Sequence, residues 1–243
     1  MILDLDVGNS RVKYRLRSAD SIHNGVFNLV DFEDLAEYLP DSQPERIRAS
    51  YAADDQTQAK LTQCLKAIYG VEPEFALTQA IQGGLTCGYQ DPSQLGVDRW
   101  LALLAAWTDA HRELVVVDLG TAITIDYTGA DGQHLGGYIV PGQQVMWDSL
   151  MGNTVGIDVQ GLEAAPHTPG RSTEEAIGHG VSMMISGFIE RCIQSFTDNS
   201  EADASPSIYM CGGGLEHLNL KLSSEYNINP HLVLDGLHIS LAS

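Results

Sequence analysis

Two periodicities alternate along the chain. Residues 2–7 (I-L-D-L-D-V) form an apolar-biased strand that ends in Asp6-Val7-Gly8-Asn9-Ser10. The next segment alternates, with Val12, Tyr14 and Leu16 on one face and Lys13, Arg15 and Arg17 on the other. Ser21 to Leu29 reads as a third strand, and Asp31 to Leu39 as a short amphipathic helix with Pro40 just beyond its end. Arg46 to Tyr51 reads as a strand. Asp54-Asp55 open a helix that runs to Tyr69, presents Leu61, Leu65 and Ile68 on one face, and stops at Gly70. Glu74 to Leu77 closes this half as a short strand, giving the order βββαβαβ.

The same order starts again at Leu114. Leu114 to Val117 is all apolar, as expected of a strand buried on both faces. Ile123, Ile125 and Tyr127 then alternate with Thr124, Asp126 and Thr128, and Ala130-Asp131-Gly132 turns the chain into a third strand, His134 to Val140. Pro141 to Gly152 reads as a helix with proline in its first turn. Val155 to Gly170 is irregular. Ser172-Thr173-Glu174-Glu175 is a capping box that opens a helix running toward Phe196. After an acidic loop at 198–206, Ser207 to Met210 is a strand. Cys211-Gly212-Gly213-Gly214 leads into a helix from Leu215 to Leu222, and His231 to Leu234 reads as a last strand before a short terminal helix.

Aligning Asp6 with Asp118 puts Gly8 on Gly120, Asn9 on Thr121 and Ser10 on Ala122, at an offset of 112 residues. A repeat of that length is a duplicated domain, with expected boundaries of 1–112 and 113–243. Each copy carries a strand ending in a carboxylate, then glycine and a polar residue. The carboxylate can hold a cation or its water shell, the glycine lets backbone approach an anion, and Thr121 offers an N–H and an O–H. One such loop is an ordinary hairpin as readily as a phosphate site. Two suggest loops that grip one phosphorylated ligand across a cleft.

Three further positions stand out. A long polar stretch, 78–96, runs into Gly96-Val97-Asp98-Arg99 at the start of a helix. Asp98 serves there either as helix N-cap or as a functional carboxylate. Arg99 opposes the helix dipole, which suits an anionic ligand. Thr173 is either a first-turn residue or a ligand contact. Trp100 and Trp107 belong to the core, and the three glycines after Cys211 let backbone lie against a flat ligand.

Charge narrows the possible partners. Thirteen Lys and Arg against thirty-two Asp and Glu give −19, which opposes a general nucleic-acid or anionic-membrane surface. The same charge opposes free ATP, so a nucleotide site needs local compensation. Cys64, Cys87, Cys192 and Cys211 are scattered and read as reduced thiols of a cytoplasmic protein. No apolar run approaches the ~20 residues of a membrane span, and Met1 begins directly in a strand without a signal peptide.

Together these features resemble one family. D-V-G-N-S-R-V-K at 6–13, G-V-D-R at 96–99, D-L-G-T-A-I-T at 118–124 and G-G-Y-I-V-P-G at 136–142 look like type III pantothenate kinase, and S-T-E-E-A-I at 172–177 and C-G-G-G-L at 211–215 fit as well. The resemblance implies an α/β protein of two duplicated ribonuclease-H-like domains (the actin-like ATPase fold) with a ligand cleft between them. It implies ATP- and Mg2+-dependent phosphorylation of the primary hydroxyl of pantothenate, the first step toward coenzyme A. By position, Asp6, Val7, Gly8, Asn9, Ser10, Arg11, Val12 and Lys13 line the ATP phosphates, and Thr121 contacts ATP. Asp6 orients the divalent ion. Tyr89, Gly96, Val97, Asp98, Arg99 and Thr173 line the pantothenate pocket, with Asp98 as proton acceptor. Asp118 holds a monovalent cation, K+ or NH4+. Family members are homodimers. Two departures are visible: Ser10 stands where many relatives have threonine, and M-G-N-T-V-G-I-D follows Leu150 where a leucine-proline pair is expected. The rival expectations are another small-molecule kinase of the superfamily, or a non-catalytic nucleotide-binding regulator.

Overall fold

In the computed structural model the described residues are 1–8, 11–28, 32–51, 55–153, 167–200, 202, 204–215 and 225–242. β1 (Ile2–Val7), β2 (Arg11–Arg17) and β3 (Ile22–Asn28) form an antiparallel meander. The short helix α1 (Leu35–Tyr38) leads to β4 (Arg46–Tyr51), and α2 (Asp55–Tyr69) leads to β5 (Pro73–Phe75). β4 lies parallel to β1 and β5 parallel to β4, so the sheet order is β3-β2-β1-β4-β5. The stretch 78–96 is not featureless. It holds a small hairpin of β6 (Ile81–Gln82) and β7 (Leu85–Thr86), turned by Gly83 and Gly84 at φ +59° and +83°. A 3-10 turn at Pro92–Gln94 follows, and then α3 (Val97–Ala110).

The second half repeats the plan. β8 (Leu114–Leu119), β9 (Ala122–Thr128) and β10 (His134–Pro141) form a meander, followed by α4 (Gln143–Gly152) and α5 (Thr173–Asn199). β11 (Ser207–Cys211) is parallel to β8, and β12 (Asn227–Ile228) is parallel to β11, giving the order β10-β9-β8-β11-β12. The chain closes on α6 (Leu232–Ser240). Two sheets with one order and one set of strand directions are the expected pair of duplicated ribonuclease-H-like domains.

The copies differ by one residue. Val7 pairs with Val12, whereas Leu119 pairs with Ile123, so the second hairpin loop is one residue shorter. Gly8 N–H bonds Arg11 O at 3.0 Å, and Gly120 N–H bonds Ala122 O at 3.1 Å. Ala122 therefore occupies the place of Arg11 rather than that of Ser10.

Each sheet packs one apolar face on helices. In the first unit, Leu3, Leu5, Val7, Val12, Ile47 and Ala49 pack on Leu35 of α1 and on Leu61 and Leu65 of α2. In the second, Val115, Val117, Leu119, Ile123, Ile125, Ile208 and Met210 pack on Val181, Ile185, Ile189 and Ile193 of α5, whose four-residue spacing makes one helix stripe. The opposite face of the first sheet is ionic. Asp4 and Arg48 are 0% and 1% exposed and form a bidentate pair at 2.6 and 2.9 Å, joined by Arg17 at 3.1 Å. Arg48 also reaches the carbonyls of His238 and Leu241 at the end of α6, while Arg15 donates to Asp235 at 2.5 Å. The multiple hydrogen bonds compensate the desolvation of these buried ions.

These contacts redraw the expected boundary. The units are Met1–Asp109 with His231–Ser243, and Ala110–Pro230, so the terminal residues belong to the first unit and not to a domain 113–243. Residues 231–234, expected as a strand, are instead the N-cap and first turn of α6. A short apolar run does not distinguish strand from buried helix, and Leu232, Val233, Leu234 and Leu237 are all buried in this one. At Gly236 a Cβ would sit 1.9 Å from Leu101 O, so α6 meets α3 backbone to backbone. The helix expected at Leu215–Leu222 falls largely outside the described residues. Pro141 ends β10, and α4 starts two residues later. Among the described residues no helix is long and apolar enough to cross a membrane.

Candidate active site

The first loop follows β1. Asp6 is half-buried at the strand end, opposite Lys13 of β2 and Ser50 of β4 in register. Val7 and Val12 are core residues, so they can offer a ligand their backbone only. Gly8 and Arg11 are exposed, and Lys13 is half-buried. Asn9 and Ser10 lie outside the described residues.

The second loop is held by glycines from two other segments. Asp118 is half-buried, opposite Thr124 and Cys211 in register, and Thr121 is exposed. Gly142 N–H bonds Thr121 O at 2.9 Å, and a Cβ on Gly142 would lie 2.3 Å from Gly120 O. α4 begins at the next residue with no side-chain cap and no acidic residue in its first turn. On the other side Gly212 has φ +92°, and its Cβ would lie 2.5 Å from Asp118 Oδ1. Gly214 N–H bonds Leu119 O at 2.9 Å. Two of the three glycines expected to bed a flat ligand thus pack on the Asp118 loop itself. The signals are P-G and C-G-G-G, but their target is non-local.

The third group gathers at the start of α3. Asp98 is exposed, and it is the second residue of the helix, not its N-cap. Its Oδ1 accepts the Arg99 N–H at 2.8 Å. Gly96 O accepts the Trp100 N–H at 3.1 Å, which makes Gly96 the residue where the helix starts. Val97 is buried. Arg99 is only 7% exposed, donates to Tyr89 Oη at 3.1 Å, and its guanidinium lies 5.7 Å from the Tyr89 ring centroid. Tyr89, Gly96, Val97, Asp98 and Arg99 therefore form one cluster. The expected discomfort of a cation in the first turn is eased by Asp98 just before it. Trp100 and Trp107 are core residues, as expected.

Thr173 is exposed at the first position of α5. Capping falls to its neighbours: Ser172 Oγ accepts the Glu175 N–H at 3.1 Å, and Glu175 Oε2 accepts the Arg171 N–H at 2.6 Å.

No group of three or more His, Cys, Asp or Glu comes together among the described residues. A cation here would be held by one carboxylate, Asp6 or Asp118, completed by backbone oxygen, water and phosphate. That donor set fits Mg2+ carried on a nucleotide and an oxygen-ligated monovalent ion.

Comparison with known proteins shows the family. The sequence model of the type III pantothenate kinase family matches residues 2–195. A type III pantothenate kinase of Ectopseudomonas mendocina is 38% identical over 99% of this chain and 98% of its own. One from Marinobacter nauticus is 35% identical over 98% and 96%. Among solved structures, a Campylobacter jejuni protein described as a Baf family transcriptional activator aligns at 22% identity and a TM-score of 0.60, covering 97% of this chain and 94% of that one. The ethanolamine utilization protein EutJ of Carboxydothermus hydrogenoformans aligns at 12% identity and a TM-score of 0.51, covering 99% and 89%. These last two are similar in fold.

Proposed function

The chain belongs to the type III pantothenate kinase family, and on that premise we propose how its residues share the work of phosphorylating pantothenate on the path to coenzyme A. The acceptor is the primary hydroxyl, and the product is 4'-phosphopantothenate. The observation that carries this reading is Asp98: an exposed carboxylate on a rigid helix start, steadied by a backbone N–H and next to a buried arginine.

The hydroxyl oxygen attacks the γ-phosphorus in line, the bond to the β-phosphate oxygen breaks, and ADP leaves. Asp98 takes the hydroxyl proton as the new P–O bond forms. Its second oxygen, Oδ2, is the natural acceptor, since Oδ1 already takes the Arg99 N–H. Arg99, held by Tyr89, meets an anionic group. The backbone of Val7, Gly8 and Val12, with Arg11 and Lys13, lies along the nucleotide phosphates, together with Asn9, Ser10 and Thr121. Gly96, Val97 and Thr173 complete the acceptor pocket. Asp6 orients Mg2+, which neutralises phosphate charge when bound, and Asp118 holds K+ or NH4+. We read the enzyme as a cytoplasmic homodimer. The scattered placement of the four cysteines, without a C-x-x-C pair, supports the first part, and the resemblance to the family supports the second.

The test is a phosphorylation assay with a panel of acceptors, product identified by mass. Pantothenate should be the preferred acceptor, with turnover absent without a divalent ion. Preferred transfer to a sugar or a carboxylate would move the chain to another branch of the superfamily. Nucleotide binding without any transfer would make it a regulator.

A further inference from the structure

Gly96 and Asp98 stand in a relation that the G-x-D spacing alone does not explain. A Cβ built on Gly96 would lie 2.6 Å from Asp98 Oδ1, far inside van der Waals contact. The oxygen it would strike is the one that accepts the Arg99 N–H at 2.8 Å. The remaining neighbours of that Cβ are mild: Asp98 Cγ at 3.8 Å and Arg99 Cδ at 4.0 Å, with no backbone atom among the three nearest. Nor does the backbone demand glycine, since Gly96 is absent from the residues with positive φ. Conformational freedom does not explain the glycine, whereas clearance does. The same device recurs at Gly212, whose Cβ would lie 2.5 Å from Asp118 Oδ1, but there positive φ and nearby backbone confound any test.

We propose that Gly96 is a positioning residue for phosphoryl transfer: its missing Cβ is the seat into which the Asp98 carboxylate folds, locking Oδ1 on the Arg99 N–H and aiming Oδ2 at the acceptor hydroxyl. The proposal rests on Asp98 being the proton acceptor. With a side chain at 96, the Asp98 rotamer must change. The carboxylate then loses its backbone tether, and the base samples many orientations of which few are productive.

Three variants test this. Gly96→Ala places the Cβ, and the fold should survive because the clash is with the end of a flexible side chain. Alanine caps less well than glycine, so Tm should fall by no more than ~4 °C. Gly96→Ser keeps the clash but restores a favoured cap, so its Tm should return toward wild type while its catalysis stays low. In both, kcat for pantothenate should fall by at least about tenfold, with KM for ATP within about twofold, since only the base is disturbed. In an Asp98→Asn background, Gly96→Ala should change kcat by less than about threefold, because a seat has no value without its carboxylate. A second readout needs no turnover: amide hydrogen exchange at Arg99 in the unliganded protein should accelerate in Gly96→Ala, whereas a serine hydroxyl at 96 can itself accept that N–H.

Unchanged Arg99 exchange in Gly96→Ala, or catalytic losses that multiply in the double variant, would overturn the seat. Near-wild-type kcat in Asp98→Asn alone would instead overturn the proton-acceptor reading, and the exchange result would then still decide the seat.

Discussion

Replacing Asp98 by asparagine separates chemistry from structure, because the local geometry sets two very different magnitudes. The introduced side-chain amide can present its own oxygen to the Arg99 N–H in place of the 2.8 Å bond, and being isosteric it fits the same seat beside Gly96. The helix start at Val97 is untouched, since Gly96 O makes the first intrahelical bond with Trp100. What is lost in stability is the attraction of one exposed charge to the helix N-terminus, about 0.3–1 kcal/mol. For a chain of this size that lowers Tm by roughly 1–4 °C. What is lost in chemistry is the proton acceptor, a factor of about 10²–10⁴ in rate, or roughly 2.7–5.4 kcal/mol. The catalytic effect should therefore exceed the stability effect several-fold. The assay is steady-state turnover of pantothenate on protein whose melting curve and nucleotide affinity are measured in the same preparation. The expected result is a kcat at least a hundredfold lower with ATP affinity within about twofold. A folded variant that turns over within a few-fold of wild type would refute the assignment, and with it the mechanism.

Asp118→Asn should blunt the stimulation of turnover by K+ over Na+ with little change in Tm; equal activity of the wild-type enzyme in Na+-only buffer would remove the monovalent site altogether. Asp4→Asn should destabilise the chain by about 3–5 kcal/mol in urea unfolding, because two arginines lose a fully buried partner, whereas a paired apolar replacement of Asp4 and Arg48 should cost less; a single variant within about 1 kcal/mol of wild type would contradict this. Acid should loosen α6. Burial, then the charges of Arg17 and Arg48, hold His238 below the ordinary imidazole range, and burial, then Arg15 and Lys13, do the same for His231. Below about pH 6.5 the unfolded chain then binds more protons than the folded one, so stability is full above that pH and falls as pH drops toward the folded pKa values. His238 Nδ1 lies 3.2 Å from Arg48 Nη2, which can only donate, so His238→Asn keeps an acceptor without titrating and should flatten the fall in Tm between about pH 7.5 and 5.5. An equally steep fall in the variant would put the acid sensitivity elsewhere.

Much of this molecule is legible in one dimension because it depends on neighbours in sequence. Strand alternation at Ile123 to Thr128, the stripe of α5 and the capping box at Ser172 each arise from local backbone periodicity. Both carboxylate loops announced themselves by repetition, and the topology of the first sheet followed from the order βββαβαβ. The tertiary structure decided what depends on approach between distant segments. Leu232 to Leu237 is apolar enough for either period, and it became a helix where Gly236 could touch Leu101 and Arg48 could reach the terminal carbonyls. That docking moved the end of the chain into the first unit. Arg99 looked unbalanced in its own helix turn, because its aromatic partner Tyr89 comes from the preceding loop. Likewise Gly142 carries no local reason to be glycine at the place where it packs against Thr121. A clearance of two to three ångströms is a property of two backbones brought together by packing, and nothing in the residues on either side of a glycine records how close the other backbone will come.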